Sequence, residues 1–302
     1  MTQSAFHDGE VALQKRVGVA EKMAEFGDRI LRPFMPNQHR EFFESLPMFF
    51  IGSEDGAGNV WASILYGSPG FVQSPTDTTL NIQGNFPSED PLAQALTVNK
   101  HVALLGIELP TRRRNRANGR IAAHADGQIE FQLEQSFGNC PKYIQPRFIF
   151  DTKAKVDPVA QTFSKFDAEV ADRLQALDTF FIASRSVGKT KTTTESDGGF
   201  DISHRGGPAG FVQIIDESTL VFPDFVGNNF FNTFGNIALD PQVGLLFVDF
   251  ENGHHIYLTG TAEVLWQQDG PLSFEGVERE VRFKLKSGKL VKNLSPYRWR
   301  PL

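Results

Sequence analysis

Cysteine is almost absent from this chain: Cys140 is the only one in 302 residues. An intramolecular disulfide is therefore impossible, and so is a zinc or iron–sulfur site built from four thiolates. This usage fits a reducing compartment. No run reaches the roughly 20 apolar residues of a membrane span. The opening MTQSAFHDGEVALQKR carries acidic residues and no apolar core, unlike a secretory signal. The expectation is a cytoplasmic protein without membrane contact. A cationic excess is missing as well, since the formal net charge is −6. That argues against nucleic acid as a partner, because such binders need a positive surface. There is no Ser–His–Asp pattern, HExxH or Walker loop, and no metal site is expected.

Phenylalanine, by contrast, is abundant, with 28 residues against 4 tyrosines and 3 tryptophans. Dry cores filled by aromatic plugs follow from that. The length allows two domains, and the chain echoes itself at domain scale. FFIGS at 49–53 returns as FFIAS at 180–184, GFVQ at 70–73 returns at 210–213, and Thr79-Leu80 returns as Thr219-Leu220. VALLGIEL at 102–109 returns as VGLLFVDF at 243–250. The offset is 131 residues for the first pair and 140 or 141 for the rest. One insertion in the second copy, across KTKTTTESDGG at 189–199, accounts for the change. Periods of 20–50 residues would mean a solenoid; this one means two domain-sized copies.

Each copy has the same coarse grammar. A short helix (40–46; about 167–177) leads into an apolar FFI run, and extended segments alternate with Gly, Asp and Asn turns. A helix follows, DPLAQALTVN (90–99) or FNTFGNIAL (231–239), and then a continuous apolar strand of the kind buried on both faces. One helix among about six strands favours a small closed barrel over a sandwich. Residues 19–34 space their apolar positions as an amphipathic helix does and stop at Pro33. The fold class is therefore mainly β with short helices: an N-terminal helical segment (1–40) and two tandem barrels (41–150 and 151–302).

The copies differ where chemistry could sit. Ser63-Ile64-Leu65-Tyr66 aligns with Ser203-His204-Arg205-Gly206. Apolar residues in the first copy give way to an imidazole, a guanidinium and a glycine. Arg205 offers a planar fork suited to phosphate, Ser203 a further donor, and Gly206 and Gly207 a close backbone approach. Next, in PDFVGNNFFNTFGN (223–236), Gly227, Asn228, Asn229 and Asn232 precede or open a helix, whose free N–H groups favour an anion. The first copy has Glu89 and Asp90 there, which would repel a phosphate. The alternative is an ordinary turn at SHRGG and an Asx-rich helix cap at GNN.

DISHRGGPAGFV, FPDFVGNNFFNTFGNIALDPQVGLLFVDF and LTGTAEV resemble the pyridoxamine 5′-phosphate oxidase-like FMN-binding split β-barrels. FHDGE, QKRVG, RPFMPNQHREFF, TRRRNR and SFGNCPKYIQ resemble two-barrel members, some of them fused to a ferredoxin-reductase-like module. The resemblance implies two tandem split barrels and FMN in a groove between barrels, usually across a dimer interface. It implies that Ser203, His204 and Arg205 meet the phosphate or ribityl chain, that Asn228, Asn229 and Asn232 lie on the phosphate side, and that Pro223 and Asp224 approach the ring. It implies, too, that the first barrel's flavin site is degenerate. Basic positions of the classical oxidases become Pro208, Gln213, Asn229 and Phe230, leaving Arg205 as the main cation. The implied function is an FMN-dependent oxidoreductase acting on a small molecule. Electrons would come from NAD(P)H or a reductase protein, and the chain would form a homodimer. The alternative is a non-catalytic flavin- or haem-binding carrier or scaffold subunit.

Other features carry less. TRRRNRANGR (111–120) reads as a solvated hairpin tip, or else as a dock for an anionic substrate or electron donor. Cys140 reads as a packing residue. His254 and His255, adjacent on a strand, point to opposite faces and cannot share a metal. The basic, aromatic ending SPYRWRPL makes Arg298 and Trp299 substrate-pocket candidates through the resemblance.

Overall fold

The computed structural model describes residues 5–84, 86–87, 89–125, 127–187, 199–266 and 274–302. Three helices come first, α1 Asp8–Arg16, α2 Ala20–Ile30 and α3 Asn37–Ser45. The strands β1 Met48–Glu54, β2 Val60–Tyr66, β3 Val72–Thr76, β4 Thr79–Gln83, β5 His101–Glu108, β6 Arg113–Ala125 and β7 Gln128–Gly138 form one antiparallel sheet. Then come β8 Arg147–Asp151, β9 Val159–Phe163 and α4 Ala168–Ala176. A second sheet contains β10 Thr179–Ser186, β11 Gly199–Gly206, β12 Gln213–Asp216, β13 Thr219–Phe225, β14 Gln242–Asp249, β15 His254–Leu265 and β16 Val277–Lys292. Helix α5 Asn232–Leu239 lies between β13 and β14, and β17 Arg298–Pro301 pairs with β8.

The two sheets share one strand order: β2-β1-β5-β6-β7-β4-β3 and β11-β10-β14-β15-β16-β13-β12. Registers match as well. Phe49 faces Leu65 and Phe180 faces Arg205, while Ile107 faces Arg114 and Val248 faces His255. The echo seen in the sequence is thus an echo in hydrogen bonding. The first sheet has seven strands and the second eight, since β9 also pairs with β16, where about six were expected; a short hairpin (β3–β4 or β12–β13) forms one edge of each.

The helices α2, α3, α4 and α5 fall where the sequence placed them. Helix α4 is capped by the Asp167 side chain, which accepts from the Val170 N–H. Residues 90–99 differ: the expected helix is a run of turns. There the Asp90 side chain accepts from the Leu92 N–H and ties itself to Ser63 and Tyr257, competing with helical pairing. The KTKTTTESDGG insertion lies, except for Gly199, outside the described residues.

Aromatic plugs fill both barrels, as the composition required. Phe180, Phe211, Phe222 and Phe247 cluster in the second, with Phe180 within 6 Å of each of the other three rings. The halves also share a core. Equivalent residues Phe50 and Phe181 stack on each other, centroids 3.5 Å apart and 17° from parallel. Around that contact β11 packs against β5 and β6, and β2 packs against β14 and β15.

Helix α1 binds the second half through α5. His7 caps α1 and its Nε2–H donates to Asn236 Oδ1 at 2.8 Å. The crossing is close enough that a Cβ at Gly235 would sit 2.6 Å from the Glu10 nitrogen. Gly235→Ala should therefore lower stability by about 1–2 kcal/mol, overpacking outweighing the gain in helix propensity. Thermal and urea melts test this; a variant as stable as wild type would mean that the crossing is loose.

Candidate functional site

One cleft gathers all nine cofactor-site residues named from the sequence. Ser203, His204, Arg205 and Gly206 come from β11, Pro223 and Asp224 from β13, Asn228 and Asn229 from the following loop, and Asn232 from the start of α5. The first half contributes the opposite wall. Arg114 and Arg116 reach in from β6, and Asn139, Cys140, Lys142 and Tyr143 from the strap joining the halves. The enclosed part holds about 110 Å³.

The arginine-rich segment is not a hairpin tip. Only Thr111 and Arg112 turn; Arg113 onward is strand, so its side chains alternate. Arg114 and Arg116 fall on the face packed against β11. Arg113 points away, onto the Phe42 ring at 4.3 Å, and Arg120 pairs with Glu134. The period-two spacing of Arg114 and Arg116 was the signal in the sequence, and it needed only the strand to begin two residues earlier than a tip allows.

These arginines differ in how they are balanced. Arg116 donates to Asp201 Oδ1 at 2.8 Å, to Asn232 Oδ1 at 3.0 Å and to Ser203 Oγ. Arg205 donates to Asp224 Oδ1 at 2.9 Å and lies 4.6 Å from the Phe234 ring centroid. Asp224 also holds Arg279 at 2.8 Å. Arg114 has no carboxylate partner among the described residues. Its Nε donates to the Cys140 carbonyl at 2.9 Å and its Nη1 to His204 Nδ1 at 3.1 Å. Burial, with Arg116 and Arg205 nearby, pushes Arg114 down to about 9, so it stays charged at neutral pH. A cation drawn partly out of water without a carboxylate partner is costly, and an anion beside it would offset that cost.

Five cations line the cleft, Arg114, Arg116, Arg205, Arg279 and Lys142, against three carboxylates paired with them, Asp201, Asp224 and Glu278. Glu10 sits behind Asn232, whose Nδ2 donates to it at 2.5 Å, but burial pushes this carboxyl up to about 8 and leaves it neutral at pH 7. The cleft therefore carries an excess of positive charge. The first turn of α5 adds to it: its N-cap Phe231 is left-handed, with φ 62° and no side-chain cap, and Asn232, Thr233 and Phe234 line the cleft.

His204 is neutral. Guanidinium groups only donate, so Arg114 fixes His204 Nδ1 as acceptor and the ring proton sits on Nε2. Burial and the neighbouring arginines hold its pKa well below the usual range. Two expectations change here. Gly206 and Gly207 make room for protein: a Cβ at Gly206 would collide with the Tyr143 carbonyl oxygen, and one at Gly207 with the Phe211 ring. Arg205, expected as the main cation, is neutralised by Asp224, and Arg114 takes that place.

Arg298 and Trp299 do not line the cleft. They lie on the β8–β17 ribbon, where Trp299 is buried against Tyr66, Phe250 and Tyr297. Arg298 donates to the carbonyls of Ser295 and Tyr297. The aromatic ending is core rather than pocket wall.

The equivalent place in the first half is filled. His255 and Tyr257 hold on β15 the register positions of Arg114 and Arg116 on β6. Tyr66 donates to His255 Nε2 at 2.8 Å, His255 Nδ1 donates to Tyr257 Oη at 3.1 Å, and Tyr257 donates to Asp90 Oδ2 at 3.0 Å. Ser63 donates to the same oxygen at 2.5 Å. Burial pushes Asp90 up to about 6. His254 lies apart at the strand edge, accepting from the Asn293 N–H. Among the described residues no group of three or more His, Cys, Asp or Glu could hold a metal ion.

Glu10 gives the fold a pH signature. Its folded pKa of about 8 lies above the ordinary 4.5, so the folded protein keeps a proton that the unfolded chain releases. Stability therefore falls as pH rises through that window. Asp90, at about 6, acts in the same direction but ends near pH 6. His39 at about 4 and His255 at about 3 oppose both, but only up to 6.5. Between pH 6.5 and 8 the Glu10 effect should dominate. Urea unfolding should show falling stability across that interval, flattened by Glu10→Gln; a flat wild-type profile would remove the assignment.

No protein-family model and no curated protein matches the chain. Solved structures similar to parts of it include a provisionally assigned pyridoxamine 5′-phosphate oxidase from Lactobacillus delbrueckii, with 16% identity, 42% of this chain and 94% of that one covered, and a TM-score of 0.32. HupZ of Group A Streptococcus is 15% identical, with 40% and 89% covered and a TM-score of 0.30. A Clostridium acetobutylicum protein of the pyridoxinephosphate oxidase family, related to general stress protein 26, is 14% identical, with 44% and 92% covered and a TM-score of 0.28. No helix among the described residues is long and apolar enough to cross a membrane.

Proposed function

We propose that the cleft binds FMN and that the chain is an FMN-dependent oxidoreductase acting on a small molecule, with NAD(P)H or a reductase protein as electron donor. The observation that carries this is Arg114, a half-buried cation with no carboxylate partner among the described residues, lining an electropositive cleft. A phosphate dianion would balance it, and a ligand with an anionic tail and a planar head matches a cleft that is cationic along β6 and aromatic toward Phe225.

Arg114, Arg116 and the first turn of α5 would hold the phosphate, with Asn228 and Asn229 beside it. Pro223 and Asp224 would border the ring. Asp224 keeps Arg205 and Arg279 in place. His204, held in one tautomer by Arg114, keeps a neutral donor under the site instead of a further charge. FMN, when bound, supplies the redox chemistry, and the protein supplies position and electrostatics. The proposal gives one site per chain, with 151–302 as the working barrel and 41–150 as its degenerate partner. At the equivalent junction, where Tyr66 of the first barrel meets His255 and Tyr257 of the second, these three side chains provide no guanidinium. Both walls of the cleft come from one chain, so the proposed site needs no second copy.

Purified protein should absorb between 350 and 500 nm or acquire that absorbance with added FMN. A colourless sample that takes up none would end the proposal. Arg114→Met should weaken FMN binding by about 10- to 100-fold, the equivalent of a lost charged hydrogen bond. The apo-protein should be no less stable, since a repelled cation is removed. Leu65→Ala, at the position equivalent to Arg205, should lower stability and leave FMN affinity unchanged. Equal loss of FMN from both folded variants would refute the single site. Mixing with NADH or NADPH then separates an enzyme from a carrier, whose flavin stays oxidised.

A further inference from the structure

The strap between the halves places Tyr143 at the mouth of the cleft. Three features of this residue need a cause. It is exposed, at 38%, although large and aromatic. Its backbone is left-handed, with φ 65°, a conformation that suits glycine and is strained in a bulky residue. Its ring stacks on Phe225 with centroids 5.1 Å apart and planes 25° from parallel, while its hydroxyl donates to the Val226 carbonyl at 3.0 Å. Folding alone does not call for this, because the ring adds little to either core: both barrel clusters are complete without it.

The space below supplies the missing piece. The enclosed part of the cleft, about 110 Å³, accepts a phosphate-sized group but falls well short of the roughly 300 Å³ or more that small-molecule sites occupy. Tyr143 and Phe225 line the cleft as a stacked pair of rings. The Tyr143 carbonyl is seated against Gly206, so its backbone is anchored, while among the described residues the ring is held by one stack and one exposed hydrogen bond.

Resting on the FMN assignment above, we propose that Tyr143 is a latch residue: its ring covers Phe225 in the free protein, swings aside when a planar ligand enters, and restacks on that ligand's ring. Tyr143 would then select for ligands that join a flat aromatic head to an anionic tail. The anionic tail is read by Arg114 and Arg116, the head by Tyr143 and Phe225. Neither part alone would use the whole site.

Fluorescence titration of the full chain with FMN, and competition by inorganic phosphate, test this. Tyr143→Ala should weaken FMN binding about three- to tenfold, the worth of one aromatic stack, and raise the fluorescence of bound FMN by removing a stacked quencher. Its affinity for inorganic phosphate should match wild type. Tyr143→Phe keeps the ring and loses the hydroxyl latch, so it should bind FMN at least as tightly as wild type and faster. If wild type binds FMN and Tyr143→Ala matches it in both affinity and bound fluorescence, the latch is wrong while the flavin site stands. If wild type binds no FMN, the flavin site itself falls, and the latch with it. Weakened phosphate binding in Tyr143→Ala would instead show a general distortion of the cleft and overturn the latch.

Discussion

The stacked pair Phe50–Phe181 is the contact on which the rest depends. These residues occupy equivalent places in two sheets with the same strand order, and they meet face to face at 3.5 Å. That packing brings β6 of one half beside β11 of the other. It also fixes which side chains oppose each other across the junction. Arg116 comes to Ser203 and Asp201, and Tyr257 comes to Asp90 beside Ser63. Two related junctions are therefore built from one architecture, and their chemistry is set by what each strand carries at the same register.

Charge separates the two. Burying a guanidinium is expensive, and the second-half junction buries several, offsetting most with Asp201, Asp224 and Glu278. Arg114 is the exception. Its partners are a neutral imidazole and a carbonyl, which balance its charge less than a carboxylate would. The first-half junction solves the same burial problem with neutral donors. Tyr66, His255 and Tyr257 pass hydrogen bonds in one direction to a single carboxyl. One junction is knit by neutral donors around Asp90; the other is knit by guanidinium groups around Asp201 and Asp224.

Much of this was legible in advance. Repeated apolar strands at a near-constant offset determine the two-sheet fold, because registers follow from buried faces with a period of two. The contrast between Ile64-Leu65 and His204-Arg205 marked the half whose β11 lines the cleft, since register places those residues identically. The helix expected over 90–99 failed because local propensity says nothing of Asp90 being drawn to Ser63 and Tyr257. Arg298 and Trp299 failed for a similar reason: a basic, aromatic ending has a composition but no address until β17 pairs with β8.

By itself, then, the sequence determined the repeated β architecture, the half that carries polar site residues, and nine positions that converge on one cleft. It could not determine the other wall. Arg114, Arg116 and Tyr143 lie about 60 to 120 residues from the β11, β13 and α5 groups they meet, and no local pattern encodes a contact across two halves. Only tertiary packing decides which arginine finds a carboxylate. That is why Arg205, conspicuous in the sequence, is neutralised, while Arg114, hidden in an apparent hairpin tip, has no carboxylate partner among the described residues.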